Sequence, residues 1–390
     1  LVESGISCAR NAWSALVSEP AIRNAVVQVG DQSGRTLFGA AYGHARPGVP
    51  MTVAHRFHLA SVTKPMTATL VLQLAEEGAF GVMGIDAAYA EFGVFPPGIM
   101  ARLHRHGGGS QAHAITLRHL LTHTSGIRDA IEDDAVTLGG PAPGSVLGKI
   151  LSGQVDRAHF WRAWAPDAVE DADAGVINHF LATGVAEVAL HAPGAGFHYS
   201  DTGFMLLALL IEKVTGQTYG GRLHQRIFAP LDLGDTYLAY RADPADLGSK
   251  RSPEAEFWGG DTPLLESGFT LSFDWGGGGV VSSAASLNVF LRALLDGALF
   301  RSPETLTAML AWTTPPGLKA PRTGVGLGLF RTEMNGMELI GHSGASGAKM
   351  FFAPREGVFL SGTINQSIGP GDWHWPLAQC WAQPREIKHE

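Results

Sequence analysis

Charge is scarce in this chain. Only 16% of its 390 residues are Asp, Glu, Lys or Arg, against about 25% in ordinary globular proteins. Apolar residues stand at an ordinary 45%. The shortage of charge therefore goes with a packed core and not with disorder, which shows the reverse balance. Basic residues are not in excess: 28 Lys and Arg face 36 Asp and Glu, for a formal net charge of −8. That excludes the basic footprint of sequence-independent nucleic-acid binding. Long hydrophobic runs are lacking as well. The apolar run at 205–211 is far short of the ~20 residues that span a bilayer, so no membrane span is expected. Cysteine is down to two, Cys8 and Cys380, at opposite ends. Two cannot make a disulfide scaffold or a thiolate zinc site by themselves. No basic stretch followed by an apolar one marks a signal peptide. The chain starts at Leu1 without Met and is read as a trimmed or processed form, with a periplasmic or secreted location favoured over a cytoplasmic one.

Glycine, by contrast, is abundant: 50 residues, or about 13% against a usual ~7%. It has no three-residue period, which excludes collagen. The length allows two structural lobes. Residues 22–29 and 35–42 read as strands around the turn Asp31-Gln32-Ser33-Gly34,. A helix with apolar residues at Met66, Leu70 and Leu74 follows and stops at Gly78,. Residues 79–114 and 131–180 read as loops with short helices, and 116–123 as one short helix. Residues 204–214 are a strongly apolar helix ending before Gly216. Residues 240–275 read as irregular. The run Gly276-Gly277-Gly278-Gly279 precedes a helix expected over 286–295. Strands are expected at 326–331, 337–341, 349–352 and 358–364, then a closing helix from Trp375. Hairpin-linked strands imply an antiparallel sheet. The expected fold is α/β of the α+β type. An antiparallel sheet with terminal helices comes from 1–60 and 270–390, and a mainly helical second lobe with long loops from 61–269. The cleft between them is the default site.

Three short motifs carry chemistry. Ser61-Val62-Thr63-Lys64 opens a helix and puts both side chains on one face,. The helix N-terminus favours negative charge developing at the serine, and a desolvated lysine can take its proton. Alone, such a pair is more often a capping serine and a solvated lysine. Tyr199-Ser200-Asp201 precedes the apolar helix; a tyrosine beside a cation can act as a general base, although a lone one is more often just buried. His342-Ser343-Gly344 lies on an expected strand, whose edge can offer an N–H to an oxyanion while Gly344 lets backbone approach a substrate.

In order and approximate spacing these three stretches resemble the motifs of serine β-lactamases and penicillin-binding proteins. Two more stretches, Leu117-Arg118-His119-Leu120-Leu121-Thr122-His123-Thr124-Ser125-Gly126 and Gly277-Gly278-Gly279-Val280-Val281-Ser282-Ser283, are similar to signatures of the group that holds class C β-lactamases, D,D-carboxypeptidases and family VIII esterases. The resemblance spans about residues 20–365. It implies an acyl-enzyme serine hydrolase with no metal and no cofactor, acting on a small-molecule or peptide substrate. By that resemblance Ser61 is the nucleophile, and Lys64 and Tyr199 share the acid and base work. The N–H groups of Ser61 and Ala345 form the oxyanion hole. His342 stands where a lysine is frequent, which resembles some D,D-peptidases and D-amino-acid peptidases more than β-lactamases. Asp201 replaces an asparagine and, if ionised, raises the Lys64 pKa. Asp201, Ser343 and Gly344 are candidate substrate contacts. Arg331 is the candidate anchor for a substrate carboxylate, unless alternation turns Phe330 inward instead. The resemblance also places the first and last helices side by side, so that Cys8 and Cys380 can meet; whether they are bonded, and the oligomeric state, stay open.

Other readings compete. Gly341-His342-Ser343-Gly344-Ala345 imitates a lipase nucleophile elbow, but only Asp372 and His374 follow to complete a triad. The 16 histidines suggest a metal at His104, His106, His119 or His123, yet no H-E-x-x-H is present; His119 and His123 are expected to make structural hydrogen bonds. A non-catalytic penicillin-recognising protein and an acyltransferase also remain. Among hydrolases, His342 favours an amide or peptide bearing a D-residue or a C-terminal carboxylate, with a carboxylesterase as the alternative. Trp161, Trp164, Trp258 and Trp275 favour a hydrophobic or aromatic substrate.

Overall fold

Helix α1 (Val2–Val17) carries Ala9, Trp13 and Leu16 on one buried stripe, the spacing of a surface helix laid on a sheet. This computed structural model describes residues 2–241, 254–367 and 369–382. Residues 242–253, part of the stretch read as irregular, and the chain end beyond 382 lie outside the described residues. Strands β1 (Asn24–Asp31) and β2 (Thr36–Arg46) form the expected hairpin. The Asp31 carboxylate accepts the Ser33 and Arg35 N–H groups and so closes the turn,. A two-residue strand β3 (Val49–Pro50) completes this edge.

A second, three-stranded sheet joins β4 (Arg56–His58), β5 (Tyr237–Leu238) and β6 (Val280–Ser283), with β6 in the middle. Further along the chain come β7 (Arg322–Val325), β8 (Phe330–Met334), β9 (Met337–Ser343), β10 (Lys349–Ala353) and β11 (Val358–Thr363). Among the described residues the main sheet has eight strands, in the order β7-β8-β9-β10-β11-β1-β2-β3. All its pairings are antiparallel. Strand β11 runs beside β1 from Val26 opposite Thr363 to Asp31 opposite Val358, so the two ends of the chain share one sheet.

Helices cover both faces. On one lie α1 and a short closing helix, α6 (His374–Gln379). On the other lie α2 (Lys64–Glu76), α3 (Leu117–Leu121), α4 (Asp201–Thr215) and α5 (Ala284–Leu295). Helix α4 ends at Gly216, which takes the left-handed cap conformation,. A disulfide joins Cys8 of α1 to Cys380 at the end of α6, with Cα atoms 5.4 Å apart, inside the ~7 Å limit for such a bond. Among the described residues no helix is long and apolar enough to cross a membrane.

Three expectations change. The strand expected over 326–331 is two strands with a turn between them. Gly326 donates to the Leu329 carbonyl at 2.9 Å, and Gly328 donates to the Leu121 carbonyl at 3.0 Å. The apolar run therefore docks as a hairpin tip on α3. The stretch read as leading straight into a helix at 286 contains strand β6, and α5 starts at Ala284. Trp275, at the end of the stretch read as irregular, and the first three of the four glycines form one helical turn, Trp275–Gly278.

Candidate active site

Strand β4 feeds into a tight helical turn, Ala60–Thr63, that carries Ser61 and runs on into α2. Ala60 sits at φ +46°, a costly conformation for a residue with a Cβ. The strain falls immediately before the serine. Lys64, one turn on, is fully buried. Its Nζ donates to Ser61 Oγ at 3.0 Å, to the Gly277 carbonyl at 2.9 Å and to Asp201 Oδ1 in a short contact. The three donors of an ammonium thus meet three acceptors. Burial alone would push its pKa down, but Asp201, then Tyr199 and Asp274, override this and hold it above the usual lysine range,. The resting lysine is an ammonium.

The glycine run is what lets these charges meet. A Cβ on Gly277 would lie 2.6 Å from Asp201 Oδ1, and one on Gly278 would lie 1.7 Å from Asp274 Oδ2. Helix α2 clamps the same run. Thr67 Oγ1 donates to the Gly276 carbonyl at 2.7 Å, and Val280 donates its N–H to Thr63 Oγ1 at 3.1 Å. Buried Asp274 is pushed up to about 8, by desolvation first and then by Asp201. Sequence reading missed Asp274, although its place directly before Trp275 and the glycines was a usable signal.

Tyr199 and Asp201 are held by the stretch 117–126. His123 takes φ +55°, and its Nδ1 accepts the Ser200 N–H at 3.1 Å. His119 Nδ1 accepts the Thr116 N–H while Thr116 Oγ1 accepts the His119 N–H, a reciprocal helix cap,. Both histidines are therefore structural hydrogen-bonders, and burial pushes each below the usual histidine range. The Tyr199 ring stacks on His123 with centroids 4.3 Å apart, and Lys64 Nζ lies 4.7 Å from its ring centre. Its hydroxyl is buried and faces Lys64 and Ser61. Burial raises its pKa, opposed by Lys64.

His342, on β9, donates from Nδ1 to the Ser343 carbonyl at 2.8 Å, and its buried Nε2 lone pair meets no donor among the described residues,. Desolvation, reinforced by Lys64, pushes its pKa well below the usual value. His342 is thus neutral at pH 7 and supplies no cation. Gly344 does more than face the cavity. A Cβ there would lie 2.2 Å from the Leu59 carbonyl, so its bareness lets the end of β9 close onto the chain just before Ser61.

Ser61, Tyr199, Asp201, Ser343, Gly344 and Ala345 all line one cavity of about 730 Å³. The structure does not bring Arg331 there. Its Nε contacts Thr323 Oγ1 at 3.3 Å, and its guanidinium lies 5.8 Å from the Trp312 ring. Alternation along β8 turns Phe330 inward, where it packs on His342 with centroids 5.0 Å apart. The guanidinium groups in the cavity wall belong to Arg157 and to Arg322, the latter 4.3 Å from the Phe330 ring. The hairpin between β7 and β8 hid Arg322 from sequence reading. The four tryptophans are also displaced: none lines the cavity, and Trp161 and Trp275 are core residues. The apolar wall includes Phe257, Leu264, Phe269 and Phe273 together with Ile131, Leu147, Leu151 and Leu271, and Glu132 adds a carboxylate.

A buried serine hydrogen-bonded to an ammonium, beside a tyrosine and a strand end, is the arrangement of a penicillin-recognising serine fold. The chain belongs to the Beta-lactamase family, whose model matches residues 10–374. Among solved structures it is similar to the D-stereospecific amidohydrolase from Streptomyces sp., at 26% identity and a TM-score of 0.70, over 96% of this chain and 97% of that one. Among curated proteins it is similar to penicillin-binding protein 4* of Bacillus subtilis (strain 168), 25% identical over 54% of this chain and 37% of that protein. It is also similar to esterase EstB of Burkholderia gladioli, 29% identical over 52% of this chain and 44% of that protein. The chain thus spans under half the length of these curated relatives.

Proposed function

We propose that this protein is a serine hydrolase that forms an acyl-enzyme on Ser61 and cleaves an amide or peptide bond beside a D-residue. The observation that carries this reading is the hydrogen bond from Lys64 Nζ to Ser61 Oγ in the wall of a largely apolar cavity. In this reading the reactive form is the one whose Lys64 has released its proton to solvent, against the hold of Asp201. Lys64, now an amine, takes the Ser61 proton as Oγ attacks the carbonyl. The N–H groups of Ser61 and Ala345 hold the oxyanion. The Tyr199 hydroxyl gives its proton to the leaving nitrogen and regains one from Lys64, which is then an amine again. Water then cleaves the ester by the same groups in reverse. The phenylalanine wall suits an apolar acyl side chain, and Glu132 suits an α-ammonium. The disulfide fits an oxidising compartment, in line with a periplasmic or secreted protein.

A carboxylesterase is the second reading. It is favoured by the neutral state of His342, because an alkoxide leaves with less acid assistance than an amine. Steady-state kinetics on D-alanyl p-nitroanilide, its L-isomer, p-nitrophenyl butyrate and nitrocefin separate the two. The amide reading requires turnover of the D-anilide in preference to the L-anilide. Ester turnover with neither anilide cleaved would overturn it in favour of the esterase.

A further inference from the structure

Asp201 has a second carboxyl beside it. Asp274 comes directly before the helical turn Trp275–Gly278 and lines the cavity that holds Ser61. Both carboxyls press on one bare Cα: a Cβ on Gly277 would lie 2.6 Å from Asp201 Oδ1 and 3.0 Å from Asp274 Oδ1. The two oxygens are therefore within about 6 Å of each other, where one carboxylate opposes the ionisation of another. Lys64 Nζ reaches the same spot, since it donates to the Gly277 carbonyl at 2.9 Å and to Asp201. Asp201 already matches the lysine charge one to one. Asp274 Oδ1 is buried and meets no donor among the described residues, so no hydrogen bond rewards a negative charge on it. Glu132 opposes its ionisation further. The neighbouring Tyr219 hydroxyl is engaged with Thr67 Oγ1 at 2.6 Å. Arg241, 5.3 Å from the centre of the Trp275 ring, donates to the Ser272 carbonyl at 3.1 Å. Asp274 is thus an acid at pH 7 and becomes a carboxylate at about 8.

We propose that Asp274 is a positioning residue for Lys64: it rests as a neutral acid, and its ionisation, not that of Lys64, ends the rise of activity with pH. The assignment rests on the acyl-enzyme reading above, in which the Lys64 amine takes the Ser61 proton. Loss of one proton from the Lys64, Asp201 and Asp274 group gives two forms. In one, Asp274 is a carboxylate and Lys64 an ammonium, and the base is blocked. In the other, Asp274 is still an acid and Lys64 an amine, and the base is ready. Both hold the same number of protons, so their ratio does not change with pH. Activity rises only until that first proton is gone and then levels off. Asp274 acts through Lys64 and not on the reacting atoms.

The test is kcat/KM for p-nitrophenyl butyrate, which covers the steps up to acylation, with Ser61→Ala as the blank. Between about pH 7 and about pH 9 it is expected to rise about tenfold in the wild type and about 100-fold in Asp274→Asn, where no carboxyl ends the rise. Each ratio compares one preparation with itself, so any loss of folded protein cancels. Infrared difference spectra over the same range give a readout besides activity. The wild type should lose the C=O stretch of a protonated carboxyl, and Asp274→Asn should lack that change. Equal rises in the two proteins would overturn the proposal, and so would a wild-type spectrum without the loss, whether or not the variant folds. Lys349 also titrates at about 8; a levelling that disappears in Lys349→Met and persists in Asp274→Asn would assign it there instead. Ester turnover that survives in Ser61→Ala would refute the acyl-enzyme reading itself, whereas an inert Ser61→Ala with equal rises refutes the role of Asp274 alone.

Discussion

Asp201 is the residue that most changes the chemistry. It stands where an asparagine is usual in the family the motifs resemble, and it keeps Lys64 charged. A base must lose its proton before it can act, so a raised Lys64 pKa delays the rise of activity with pH. In Asp201→Asn the counter-charge is gone and burial pushes the lysine down unopposed by it. The acidic limb of the kcat/KM profile is then expected to move to lower pH, by about one unit or more. A limb that stays in place would show that Lys64 is not the titrating base. The side-chain types of this site were legible in the sequence because they sit in three short, ordered motifs. Arg322, Glu132 and Asp274 were not, since single charged residues outside a motif acquire meaning only when the fold desolvates them around one cavity.

At the scale of elements, the site is made by close backbone approach. The end of β9 is pressed against the strand end that leads to Ser61, with Gly344 at the contact. Gly344→Ala inserts a methyl 2.2 Å from the Leu59 carbonyl, which the backbone must relieve by moving. Overpacking of this kind costs about 1–3 kcal/mol. A shift near 1 Å between Ala345 and Ser61 costs about 10²-fold in rate. The expected outcome is a folded protein with a modestly lower Tm and kcat/KM down by about that factor. Wild-type kcat/KM would show that this contact does not set the geometry. Sequence reading found the hairpins and the long apolar helix, which announce themselves by period and turn residues. It lost β6, four residues long between a glycine run and a helix. It also ran β7 into β8, because residues 324–330 alternate glycine with apolar side chains and show no polar break. The tryptophans misled for a related reason: bulk in a loop-rich stretch went into the core at Trp161 and Trp275, while phenylalanines took the cavity wall.

For the whole molecule, the two ends of the chain are joined twice, by the β1–β11 ladder and by the disulfide between α1 and α6. The covalent link closes a loop of 372 residues. Removing a bond of this kind costs about 2–4 kcal/mol, chiefly through the freed unfolded chain. The Cys8→Ser, Cys380→Ser double variant is expected to unfold at lower denaturant. Its kcat/KM on p-nitrophenyl butyrate should stay within about twofold of wild type, because α1 and α6 lie on the sheet face away from α2,. An unchanged denaturation midpoint, with both thiols titratable in the wild type, would show that the bond does not form. The central claim is that the cavity holds an acylating serine at Ser61. Incubation with a fluorophosphonate, followed by intact-mass and peptide mass spectrometry, tests it most directly. One adduct per chain on the Ser61 peptide, lost in Ser61→Ala and slowed in Lys64→Met, is the predicted result; no adduct, or an adduct on Ser343 that survives Ser61→Ala, would contradict it.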